Sequence, residues 1–189
     1  MIRKGDTIQN PVTGERLVFL ETSQETKGEY VLVETTVQPH GFVAAPHVHP
    51  HQTERFEVER GIVGFKLDGK ELVAGPGESV VVPAGSSHKF WNAGDEEAVF
   101  VCEVRPALQF ERLLETMFAL ANDGKTNGKG MPNPFRLAVI ANEHFDDVRL
   151  PFPPAWLQKS ALALGAPLGR LCGYTPAYEG AGDELALAL

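Results

Sequence analysis

Apolar and polar residues alternate with a period of two from about residue 14 to residue 105, and after Pro106 the period lengthens to 3.6. Residues 16–20 and 29–38 are extended, β-branched or aromatic stretches, bounded by Gly14, Gly28 and the Gln38-Pro39 pair. Residues 54–60 and 62–67 meet at Gly61, and Asp68-Gly69 is a two-residue hairpin signal before residues 70–73. Pro76-Gly77 marks another turn, 79–82 is a short apolar strand, and 98–105 closes the series with Ala98, Phe100, Cys102 and Val104 on one face and Glu103 on the other.

Beyond Pro106, Phe110, Leu113, Leu114, Met117, Phe118 and Ala121 form one helical stripe, with Glu111, Arg112, Glu115 and Thr116 elsewhere on the surface. Asn122-Asp123-Gly124 stops this helix, and the polar, glycine-rich residues 124–133 read as a mobile connector. Gly124-Lys125-Thr126 is not a P-loop, because Ala119 stands where the first glycine belongs and the segment leads out of a helix. Asn133 caps a second helix that starts at Pro134 and carries Phe135, Leu137, Ala138 and Ile140. A third begins near Pro154, carries Trp156, Leu157, Ala161, Leu164 and Leu168, and is disturbed by Pro167. The predicted organisation is a β domain over residues 1–105, a helical extension over 106–178 and a tail over 179–189. The extension packs on the β domain or a second subunit as a cap, or forms a lid that shapes a pocket.

Candidate chemistry is concentrated in residues 41–92. The first block runs Gly41, five residues, His47-Val48-His49, four residues, Glu54, six residues, Gly61. The second runs Gly77, five residues, Pro83-Ala84-Gly85, two residues, His88, three residues, Asn92. Side chains alternate across a strand, so His47 and His49 point the same way. Glu54, Phe56 and Val58 share one face while Arg55, Glu57 and Glu59 share the other, and His88, Phe90 and Asn92 oppose Lys89.

These two blocks resemble the signature motifs of the cupin superfamily, matched without a gap or a substitution at a motif position. The resemblance implies a mainly β fold, an antiparallel jelly-roll β-barrel, here with a C-terminal α-helical extension. It also implies that His47, His49, Glu54 and His88 bind one divalent transition metal, which in related cupins is Fe, Mn, Ni, Cu or Zn; the residues do not choose among them. Four ligands on an octahedral ion leave two positions for water, dioxygen or substrate. Glu54 is the candidate catalytic residue, able to leave the metal and act as a base, while Phe56, Val58, Val80, Val82, Phe90 and Cys102 wall a substrate pocket. Cys102 reads as a small buried hydrophobe rather than a catalytic thiol. His51 reads as a solvated loop residue, His40 lies at a turn, and His144 suits the negative pole of the second helix; none of the three is assigned to the site.

Composition narrows the functional classes. The chain has 189 residues, a net charge of −8 and no Lys/Arg cluster, which argues against nucleic acid or an anionic membrane surface as partner. No apolar segment follows Met1-Ile2-Arg3-Lys4-Gly5-Asp6, no run is long enough to span a membrane, and the two cysteines form no framework; a cytoplasmic protein is expected. An apolar pocket, with no inward Lys or Arg on the strands that carry the candidate ligands, favours an uncharged or aromatic small molecule over a phosphosugar. The expected function is a metal-dependent oxidoreductase of dioxygenase type, acting as a homodimer; the acidic chain and the lack of a helix-turn-helix before the barrel argue against a regulator of transcription. A non-catalytic small-molecule binding or sensing protein and a metal-dependent isomerase or lyase stay open.

Overall fold

The computed structural model describes residues 1–180. Its strands are β1 (Thr7–Asn10), β2 (Glu15–Glu21), β3 (Val31–Val37), β4 (His47–Val48), β5 (Thr53–Arg60), β6 (Val63–Leu67), β7 (Lys70–Ala74), β8 (Ser79–Val82), β9 (Ser87–Asn92) and β10 (Ala98–Arg105). Three helices follow, α1 (Phe110–Asn122), α2 (Pro134–Glu143) and α3 (Ala155–Leu171). All ladders are antiparallel, in a six-stranded sheet ordered β1-β2-β3-β10-β5-β8 and a four-stranded sheet ordered β4-β9-β6-β7. β1 precedes the predicted series; its polar Thr7, Gln9 and Asn10 give no alternation to detect.

Register turns the alternation into a core. Phe56 sits opposite Val80 on one side and Cys102 on the other, and Val58 opposite Phe100, so their inward faces merge. Phe56 meets Phe65, Phe90 and Phe100 with ring centroids 5.1, 5.9 and 5.4 Å apart, a cluster of mostly edge-on aromatic contacts filling the space between the sheets. The outward partners Arg55, Glu57 and Glu59 are exposed.

A second core forms where the larger sheet extends past the smaller one. There Leu17, Phe19, Val31 and Val33 would face water, and Ala107 with Phe118 of α1 covers them. Burying Phe118 contributes about 2 kcal/mol by its apolar area. Thr116, predicted on the surface, is buried, because the chain after α3 returns over α1 and the backbone N–H of Tyr178 donates to the Thr116 hydroxyl. Residues 124–133, expected as a mobile connector, form a hydrogen-bonded loop in which Asn127 Oδ1 accepts from the N–H groups of Lys129 and Met131.

The Asn133 side chain caps α2 by accepting from the Arg136 N–H, as predicted. α3 runs unbroken through Pro167, contrary to the sequence expectation. An interior proline costs a helix about 3 kcal/mol. Close packing on α2 opposes that: Ala166 is buried, and a Cβ built on Gly169 would lie 2.4 Å from the carbonyl oxygen of Phe135. The opposite face of α3 is apolar and open, with Trp156, Leu164 and Leu171 at 69, 74 and 85% exposure. No helix among the described residues is long and apolar enough to cross a membrane. Of the predicted tail, residues 181–189 lie outside the described residues.

Candidate metal centre

Strand pairing assembles the four predicted ligands. His47 of β4 is the register partner of His88 of β9, and Glu54 projects from β5 in the facing sheet. His47, His49, Glu54 and His88 each offer an atom within 4.8 Å of the others. His49, Glu54 and His88 are buried and His47 is half-buried.

The imidazoles are oriented by their outer nitrogens. His47 Nδ1 is 2.8 Å from the Ala45 carbonyl, His88 Nδ1 is 3.3 Å from that of Ser86, and His49 Nδ1 is 2.7 Å from that of Asp147 and 3.0 Å from Gln52 Oε1. A carbonyl only accepts, so these contacts hold the proton on Nδ1 and leave each Nε2 lone pair facing the cluster. Gln52 is itself fixed, its Nε2 donating to the carbonyls of Pro106 and Ala107 at the entry to the extension.

Glu54 Oε1 lies 3.6 Å from His49 Nε2 and Oε2 lies 2.6 Å from His88 Nε2. The last two atoms are close yet have no well-directed hydrogen bond with each other or with any other described group, and both are buried. Donor atoms turned toward a common point and otherwise unsatisfied are what a divalent cation would satisfy, so the residues fit the metal that the sequence implies. Burial pushes the Glu54 carboxyl up, but the electrostatic pull of His49, His88 and His47 outweighs it and holds the group at about 2. Burial, reinforced by His88 and His49, holds His47 down at about 3; for His88 burial is overcome by Glu54, and its pKa rises.

The cluster opens on a cavity of about 520 Å³. Of the predicted pocket residues, Phe56, Phe90 and Cys102 line it, whereas Val58, Val80 and Val82 are in the barrel core and do not reach it. Strand parity assigns a side chain to a face, not to a depth along the barrel. Burial first, then Glu54 and Glu103, pushes the Cys102 thiol well up, so it is a protonated wall atom. All three helices contribute lining, including Phe110 and Leu114 of α1, Leu137 of α2 and Leu162 of α3. His51 is exposed, and His40 lies at a turn with φ +64°.

Two polar residues of this cavity were not anticipated. Glu15 lines it from β2, buried, with Oε2 accepting from the Thr13 hydroxyl at 2.7 Å, and burial raises its pKa to about 7. The available signal was its parity with Leu17 and Phe19. His144, left outside the site by sequence reasoning, is fully buried at the end of α2 and also lines the cavity. Its signal was Asp147, three residues on, whose carboxylate it contacts at 2.9 Å.

Residues 33–104 match the cupin domain family model. The chain belongs to the cupin superfamily. This cupin is similar to the probable oxidoreductase virH of Hypocrea virens, with 30% identity over 183 residues, 85% of this chain and 80% of that protein. It is also similar to oxidoreductase iacF of Pestalotiopsis fici, with 27% identity over 77% of this chain and 79% of that protein. Quercetin 2,3-dioxygenase of Bacillus subtilis matches at 28% identity over 58% of this cupin and 39% of its own length.

Proposed function

We propose that this cupin is a metal-dependent oxidoreductase of dioxygenase type acting on a small, largely apolar organic molecule. The observation that carries the reading is the buried group of three Nε2-presenting imidazoles and one carboxylate at the wall of an apolar cavity. The oxidoreductase names of similar proteins that align over most of their length support the class, and the quercetin dioxygenase supports the type.

His47, His49, Glu54 and His88 would hold the ion, which supplies Lewis acidity and, as Fe or Mn, a one-electron couple. Residues of the chain do the rest. Phe56, Phe90, Phe110 and Leu114 limit water around the reacting molecule, and Glu54, ionised in this setting, is the carboxylate placed to accept a proton from it. The lining is mostly apolar, with Arg149 its one Lys or Arg among the described residues, which suits an uncharged or aromatic substrate better than a phosphosugar. We also infer a homodimer, which the open apolar face of α3 supports.

The test is dioxygen uptake by protein loaded anaerobically with Fe(II) or Mn(II), against a panel of phenols, diketones and thiols. Uptake with at least one compound, lost in Glu54→Gln at restored metal occupancy, is the expected result. Tight binding of an unmodified compound with no turnover under any of the metals would favour the binding or sensing alternative, and conversion without dioxygen the isomerase or lyase.

A further inference from the structure

Asn10 and Glu15 bring uncommitted polar atoms to the wall of an otherwise apolar cavity. The two residues are register partners in the β1–β2 ladder, so their side chains stand side by side on one face, with Cβ atoms about 5 Å apart. Both line the cavity and both are more than nine-tenths buried, at 5 and 8% exposure. Asn10 Oδ1 accepts from the backbone N–H groups of Val12 and Thr13, at 3.0 and 3.2 Å, which fixes the orientation of the amide and leaves Nδ2 over. Glu15 Oε2 accepts from the Thr13 hydroxyl, which leaves Oε1 over. Neither Nδ2 nor Oε1 has a hydrogen-bond partner among the described residues, and neither is enclosed by protein atoms, so each stays open to the cavity that its residue lines.

The floor of the cavity connects this pair to the candidate metal centre. Inward residues of four neighbouring strands line it in turn, Leu17 of β2, Thr35 of β3, Phe100 and Cys102 of β10, and Phe56 of β5, the strand that carries Glu54. Leu17 is the register partner of Thr35, Thr35 of Phe100, and Cys102 of Phe56. Three strand spacings separate β2 from β5, about 14 Å along the sheet. The pair therefore meets a part of the bound molecule remote from the ion.

The chemistry of the pair limits what that part can be. Nδ2 donates, and a carboxylate oxygen accepts. A carbonyl would suit Asn10 but face the lone pairs of Glu15, and an ammonium would suit Glu15 but meet the amide N–H. A hydroxyl accepts from the one and donates to the other. Burial raises the Glu15 pKa to about 7, so its acid form is also populated near neutrality, and a hydroxyl suits that form as well by accepting from both residues.

We infer that Asn10 and Glu15 recognise a hydroxyl group that the substrate carries away from its reacting atoms. The apolar lining between, including Leu17 and Phe100, takes the frame that bears it. This inference rests on the reading of the cavity as a substrate site and adds a functional group of the substrate together with the residues that select it.

The experiment measures binding of 4-phenylphenol and of 4-methylbiphenyl, in which a methyl replaces the hydroxyl, to the full chain loaded with redox-inactive Zn(II), by equilibrium dialysis. The quantity read is the ratio of the two affinities. In Glu15→Leu it should fall by about tenfold from the wild-type value, the worth of one buried hydrogen bond, with the affinity for the methyl compound kept or raised. Asn10→Ser, whose hydroxyl can still serve the N–H groups of the turn, should lower the ratio similarly, and Glu15→Gln, which presents an amide to the same hydroxyl, should keep most of it. Should the leucine variant fail to fold, the serine variant decides. A ratio unchanged in the leucine and serine variants means that the phenol is held elsewhere, at the zinc for example, and overturns the inference while leaving the cavity a ligand site. A wild type that binds neither compound removes the substrate-site reading and the inference with it. Dioxygen uptake is not read here, so discrimination without turnover would remove the proposed oxidative activity and leave the hydroxyl site standing.

Discussion

Glu15→Gln should stabilise the protein, and by an amount that grows with pH. Glu15 is buried on the cavity wall with only the Thr13 hydroxyl as a hydrogen-bond donor among the described residues, and burial raises its pKa from the usual 4.5 to about 7. Between those two values the folded chain holds a proton that the unfolded chain has released. Stability therefore falls as pH rises through that window and the penalty is constant above it. Integrated over the two titrations, the penalty is about 1 kcal/mol at pH 5 and about 3 kcal/mol at pH 8. Glutamine keeps the shape and can accept from Thr13 but does not titrate, so the stability difference between variant and wild type should increase by about 2 kcal/mol between those pH values. Urea denaturation of both chains in chelator-containing buffer measures it, since any other pH-dependent group is common to both and cancels. A difference that stays flat from pH 5 to pH 8, or that moves the other way, would refute the claim that Glu15 is buried without adequate compensation.

Replacing His49 or His88 by Ala should remove most bound metal in elemental analysis of protein refolded with Zn(II) or Mn(II); wild-type stoichiometry in both variants would sink the ligand assignment. Gly169→Ala should destabilise the chain by about 1–3 kcal/mol in thermal melts, because the new Cβ would meet the Phe135 carbonyl at 2.4 Å and Val139 Cγ2 at 2.5 Å; an unchanged melting temperature would mean that α2 and α3 separate easily. The inferred dimer should sediment as such and become monomeric when Leu164 and Leu168 are replaced by Glu, and a wild-type monomer would dismiss it.

The clustering of the candidate ligands was legible because its signal is local: spacing within a block, then parity along β5 and β9, put Glu54, Phe56, His88 and Phe90 on inward faces, as the register has them. What stayed hidden depends on segments far apart in the chain. Thr116 has a polar side chain on a helix whose own stripe lies elsewhere, and only the return of residue 178 covers it. Val58, Val80 and Val82 share parity with cavity residues but sit deeper in the barrel, a coordinate that alternation does not carry. His144 reaches the site because residues 147–149 come back to β4, a pairing separated by about a hundred positions from its partner strand. Pro167, expected to disturb the third helix, lies within an unbroken α3 because small residues seat that helix against α2.

The pairing of Arg149 with Val48 has a further effect, on what this protein can stick to. β4 is an outer strand of its sheet, and an outer strand presents unpaired N–H and C=O groups that another chain can extend. The protein's own later segment takes those groups at Val48, between the two histidines of the first block. Strand addition at this edge would have to displace the segment that holds His49, so the edge beside the candidate metal centre is shielded from aggregation. β7, at the far edge of the same sheet, instead leaves Val73 at 60% exposure. Edge-to-edge association of this sheet, when it occurs, is thereby directed to the edge where it leaves the cavity open.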